Sequence, residues 1–156
     1  MSLDLLAALE DHADASTPGR PGDFTFQHQL CHDFESLIWV IVYAMMVRRK
    51  AILEATDPSV YEKYKKQLDS FWGVHSHSNL MNCHEALVSA GTRRSRTIVE
   101  RLLFPDPLEA QFFRAAMRLV RSQGDEEPIT YEKLQALFQT HIQKAVQASQ
   151  LTLASA

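Results

Sequence analysis

Four groups of chemistry-bearing side chains stand out along the chain. The first is the run His32-Asp33-Phe34-Glu35-Ser36, which sets an imidazole, two carboxylates and a hydroxyl directly before the apolar stretch Leu37 to Val47. The second is His75, His77, Cys83 and His84, an H-x-H-x5-C-H pattern whose imidazole and thiolate donors are the right chemistry for tetrahedral zinc. The third is Arg93, Arg94 and Arg96 around Ser95 and Thr97, which suits a basic contact or a phosphorylation site. The fourth is Cys31 beside His32, a thiol next to a base.

Each has a plainer reading. The spacing of the histidine and cysteine group matches no zinc module, and adjacent Cys83 and His84 would point to different sides of a helix. A polar loop containing histidines is therefore preferred, with His75, His77, Cys83 and His84 kept as weak metal candidates. Sequence neighbours such as Cys31 and His32 rarely have the geometry for proton transfer, and no third orienting group is evident, so Cys31 is expected to pack in the core. The arginine segment is expected to be a solvated loop. Tyr61, Tyr64, Phe71 and Trp72 fall at helical spacing and read as core.

The elements that must position these groups are helices. Leu37 to Val47 is apolar on every side, which predicts a buried spine helix over about 32–50. These eleven residues are too few to span a bilayer. Ile38, Val40, Ile41, Val42 and Val47 are β-branched and also suit a central strand, but a strand would run well past the usual ~5 to 6 residues. Asp33 then reads as the N-cap, and Arg48, Arg49 and Lys50 as cations at the negative end of the helix dipole, each favourable by roughly 0.3 to 1 kcal/mol if exposed. Asp57-Pro58 starts a second helix, Cys83 to Ala90 forms a third with Gly91 as its stop, Asp106-Pro107-Leu108-Glu109 caps a fourth, and Thr130 caps a last. Residues 12–31 read as an exposed loop, rich in turn residues, and 147–156 as a disordered tail, leaving one all-α domain over 1–146.

Composition sets outer limits. With 156 residues, 46% hydrophobic, 22% charged and a formal charge of −3, the chain suits one globular domain and offers no concentrated basic surface for nucleic acid. Its two cysteines are expected to stay reduced, and the residues after Met1 lack the basic start of a secretory signal. The expected location is intracellular, cytoplasmic or nuclear, with no membrane partner.

His32-Asp33-Phe34-Glu35-Ser36, followed by Trp39 and Tyr43 within an apolar helix, resembles the fungal-type protein kinase family, whose pattern here is His-Asp-Leu-Glu-Ser before an aromatic-rich run. Phe34 stands where that family has leucine. Ser2, Leu3 and Asp4 look like its version of the Ala-Pro-Glu segment that closes the activation loop, with Asp4 at the acidic position. The resemblance covers most of the chain from Met1 to about His141 and implies the helical C-lobe of a protein-kinase-like fold. It implies that Asp33, supported by Glu35 and Ser36, holds the backbone of a catalytic loop in place and is not itself a base.

Phosphoryl transfer also needs a glycine-rich loop, a strand lysine, a catalytic-loop aspartate and a metal-binding aspartate. None has a counterpart among these residues: the five glycines form no G-x-G-x-x-G, and Gly22-Asp23-Phe24 has the residues of Asp-Phe-Gly in the wrong order. The implied identity is a C-lobe fragment or pseudokinase remnant, inactive alone, with no cofactor of its own. ATP and Mg are implied only for a full-length member. The expected partners are the missing kinase portion or another protein, with a protein substrate implied by the family. The alternative is a non-catalytic helical scaffold or regulatory protein.

Overall fold

The structure, a computed structural model, describes residues 29–73, 77–94, 97–124 and 128–154. Its regular elements are all helices: α1 (Leu30–Thr56), α2 (Pro58–Trp72), α3 (His77–Thr92), α4 (Ile98–Leu103), α5 (Pro107–Gly124) and α6 (Tyr131–Ala154). The all-α class is thus shown, and no strand occurs among the described residues. The chain divides into two compact units, Met1–Leu87 and Val88–Ala156.

In the first unit, α1 is longer than the apolar run predicts. It starts at Leu30, with Gln29 at the cap position, and ends at Thr56. The Gln29 backbone N–H donates to His32 Nδ1 at 3.0 Å, so a histidine fills the role a glutamate plays in the usual capping box. Asp33 is therefore not the N-cap: it lies one residue beyond His32, inside the first turns of the helix. Arg48, Arg49 and Lys50 likewise sit in the helix interior. The last turn holds no basic residue, so the expected match to the helix dipole does not arise there.

The helix is also not buried all round. Its inner face carries Cys31, Glu35, Ile38, Trp39, Val42, Met46 and Leu53, whereas Leu37, Val40, Tyr43, Val47 and Ile52 are exposed. With 27 residues, α1 is long and apolar enough to cross a membrane by length and composition, a test that core helices of soluble proteins also pass.

α2 starts as its sequence dictates. Asp57 Oδ1 accepts the Val60 N–H at 3.1 Å and the Ser59 hydroxyl at 2.8 Å, and proline occupies the first helical turn, where its missing N–H costs nothing. Hydrogen bonds from Ser59 and then Val60 hold the Asp57 carboxyl below its usual pKa. Tyr64, Leu68 and Phe71 are buried, and the Tyr64 hydroxyl donates to the Met46 carbonyl of α1 at 2.9 Å. α3 begins at His77, within the segment that reads as irregular, rather than at Cys83.

In the second unit, α4 has no counterpart among the helices predicted. Thr97 caps it by accepting the Glu100 N–H at 3.0 Å. Asp106 Oδ1 accepts from Leu108 and Glu109 N–H at 2.8 and 3.0 Å, and Thr130 accepts from Lys133 N–H at 3.3 Å, as the capping residues predict for α5 and α6. Phe104 stacks on Phe113 at 4.4 Å, and Phe112 on Phe138 at 5.9 Å. Gly91 does not terminate α3, which runs to Thr92. Instead, α5 passes so near that a Cβ on Gly91 would lie 2.6 Å from Met117 Cβ and 3.2 Å from the Phe113 ring. On α6 the buried positions among the described residues are Leu134 and Leu137, while Tyr131 and Ile142 are exposed. The backbone stays helical through Ala154.

Candidate functional site

Among the described residues of the first unit, the buried polar side chains are His32 and Glu35 on α1 and His84 on α3. Glu35 and Trp39 are one helical turn apart, and the Trp39 indole N–H donates to Glu35 Oε1 at 3.0 Å. Glu35 is 1% exposed, so its carboxyl sits where an unbonded charge would cost several kcal/mol. It is this acid, not Asp33, that the fold buries: Asp33 is exposed and Ser36 half-buried.

Above this pair lies an aromatic box. The His84 imidazole stacks on Trp39 with centroids 3.9 Å apart and planes 13° from parallel. Trp72 closes the box edge-on, 5.5 Å from His84 and 6.4 Å from Trp39, and Tyr43 meets Trp72 at 5.1 Å. The Trp72 indole N–H donates to Met46 Sδ at 3.4 Å. Both tryptophans of the chain therefore belong to this cluster.

His84 is 1% exposed, and neither ring nitrogen has a hydrogen-bond partner. Burial pushes its pKa from the usual 6.5 down to about 3, because an imidazolium here would lose its water and gain no acceptor. The ring is thus neutral at physiological pH and packs as an aromatic plate. Such buried unbonded polar atoms are uncommon and costly.

The metal candidates do not come together. His75 lies outside the described residues, and His77 opens α3. Cys83 Sγ donates to the Ser70 carbonyl at 3.3 Å, while His84 is committed to Trp39. Burial raises the Cys83 thiol pKa, opposite to what a zinc thiolate needs. Among the described residues no group of three or more His, Cys, Asp or Glu side chains is placed to hold a metal ion. Cys31 and His32 form no catalytic pair either: Cys31 is buried with Sγ 3.5 Å from Gln29 Oε1, and His32 Nδ1 is taken by the Gln29 N–H.

Ser2, Leu3 and Asp4 lie outside the described residues, as do Ser95 and Arg96. Arg93 and Arg94 are exposed, and Thr97 is engaged as the cap of α4. In the second unit the buried Glu100 pairs with Arg114, whose Nε donates to Glu100 Oε1 at 2.9 Å. Its sequence signal is faint: a glutamate within Ile98-Val99-Glu100-Arg101-Leu102-Leu103, on a helix too short to show a period. The His84–Trp39 stack has no sequence signal at all, since 45 positions separate partners whose types carry no complementarity by themselves. No protein-family model, curated protein or solved structure matches the chain.

Proposed function

We propose that this chain is the C-lobe portion of a fungal-type serine/threonine protein kinase fold, organised around α1 and unable by itself to bind ATP or transfer phosphate. One observation carries the reading. Asp33 stands exposed in the first turns of the spine helix, while His32 and Glu35 on either side of it are buried. An exposed aspartate at this end of the spine helix stands where the resemblance puts the residue that holds the catalytic loop. Glu35, bonded to Trp39, anchors that turn to the core, and half-buried Ser36 lies beside it.

ATP and Mg would belong to upstream residues. The described residues gather no metal-ligating set and the sequence has no glycine-rich loop, so no catalytic step is assigned to this chain. A protein substrate and a cytoplasmic or nuclear location are part of the same proposal and rest on the resemblance alone. Mapping the 5′ end of the transcript tests the reading. In-frame codons upstream of Met1 for the glycine-rich loop, strand lysine and catalytic-loop aspartate are expected, and a transcript starting at Met1 without them would refute it.

A second reading, a non-catalytic helical scaffold, is favoured by the apolar outer face of α1, which offers a partner surface that needs no kinase chemistry. Asp33→Ala separates the two: it removes loop support in the first reading and leaves partner binding largely intact in the second.

A further inference from the structure

We propose that His84 is an acid-released latch: taking up a proton frees the part of α3 that belongs to the first unit, residues 77–87, from the α1–α2 pair and uncovers the indole rings of Trp39 and Trp72. The device stands apart from kinase kinship. With the latch closed, the imidazole lies flat on Trp39 at 3.9 Å between centroids, Trp72 meets it edge-on at 5.5 Å, and both ring nitrogens are buried without a hydrogen-bond partner. An imidazolium has two N–H groups to satisfy, and the box faces it with aromatic rings. Stacking on Trp39 would give the cation some attraction, but two unbonded donors and a buried charge cost more.

The titratable groups around the ring are committed elsewhere or exposed. On α1, Glu35 Oε1 accepts the Trp39 indole N–H, His32 Nδ1 accepts the Gln29 N–H, and Tyr43 packs against Trp72. On α2, Asp69 is exposed; on α3, Glu85 is exposed and the Cys83 thiol donates to the Ser70 carbonyl. Burial therefore governs the ring and holds its pKa at about 3, against 6.5 once it is in water. Docking of α3 is fully supported above pH 6.5 and loses that support as pH falls toward 3. α3 is also the element that yields. α1 and α2 pair closely and are joined without His84, by the Tyr64 hydroxyl to the Met46 carbonyl at 2.9 Å and the Trp72 indole N–H to Met46 Sδ at 3.4 Å, whereas α3 is held more sparsely.

Amide hydrogen exchange of the full chain, corrected for intrinsic rates, tests the latch at pH 7.5 and 5.0. Protection of residues 81–87 is expected to fall about thirtyfold in the parent, the factor by which a ring titrating at 6.5 favours the open state while the docked ring stays neutral. In His84→Phe and in His84→Leu, which have no proton to gain, the change should stay within about threefold, while His32 and the carboxylates titrate as before. Residues 38–46 of α1 should remain better protected than residues 81–87 at both pH values. Three results would each overturn the inference. Protection in α3 that ignores pH in the parent would mean that the ring is hydrated or bonded. A thirtyfold fall that persists in both variants would assign the effect to another group. Equal protection of α1 and α3 at both pH values would make the opening global unfolding rather than release of one helix.

Discussion

Acidification should destabilise this protein through His84 before most carboxylates titrate. The folded-state pKa of His84 is about 3 and the unfolded value 6.5, so the imidazole is uncharged in the folded chain and binds a proton on unfolding throughout that window. Stability from this group is fully present above pH 6.5 and is lost as pH falls toward 3. Each pH unit below 6.5 costs about 1.4 kcal/mol, so the loss is about 2 kcal/mol at pH 5. Urea unfolding of the parent and of His84→Phe, followed at pH 7.5 and 5.0, isolates the term, because carboxylate titration is common to both and cancels in the difference. Phenylalanine keeps a ring on Trp39 and removes two buried unbonded nitrogens, so the variant should be as stable as the parent or more so at pH 7.5. The parent should then lose about 2 kcal/mol more than the variant between the two pH values. A double difference near zero would refute the reasoning: either the ring is hydrated or its nitrogens have partners.

Gly91→Ala should cost about 1 to 3 kcal/mol, because its Cβ would press on Met117 and Phe113; an unchanged thermal midpoint would show that α3 and α5 are looser here than the structure has them. Glu100→Ala leaves the partly exposed Arg114 without its carboxylate and should cost toward the lower part of the 3 to 5 kcal/mol typical of a broken buried pair. Replacing both residues, Glu100→Met with Arg114→Leu, should recover most of that loss in denaturant titrations, and failure to recover would mean the pair is needed for more than mutual neutralisation. Trp39→Phe removes the indole donor to Glu35 and should cost about 1 to 3 kcal/mol, read by chemical denaturation. Glu35→Gln in the same background should relieve part of this, since a neutral amide is cheaper to bury than a carboxylate.

Much of the fold was legible because its signals are local. Asp57, Asp106 and Thr130 announce helix starts through short side-chain oxygens that accept an N–H two or three positions on. The stripe Tyr64, Leu68 and Phe71 declares its buried face by period alone. What failed depended on neighbours distant in sequence or on chemistry shared by several side chains. The start of α1 was misplaced because His32 does the capping work that a carboxylate three residues from a serine or threonine usually signals. Uniform apolarity in Leu37 to Val47 read as burial on every side, yet Val40 faces outward, and no periodicity in so uniform a run could say which face the core would take. Gly91 read as a helix stop by its type, whereas its place is set by the approach of Met117 from another helix. Glu35, not Asp33, is the buried acid of the first turns of α1, and His84, a weak metal candidate by its type, is a stacking plate because Trp39 is brought to it from 45 positions away.

The two free thiols make the first unit a clock of its own opening. Cys31 is buried at the first turn of α1, and Cys83 is half-buried on α3 with Sγ donating to a carbonyl of α2. An alkylating reagent reaches buried Cys31 only when the first turn of α1 lifts, whereas half-buried Cys83 reacts from the folded state, so the first rate counts the fraying of α1 and the second is its internal reference. Native labelling of one chain would thus time the opening of the spine helix without any substitution.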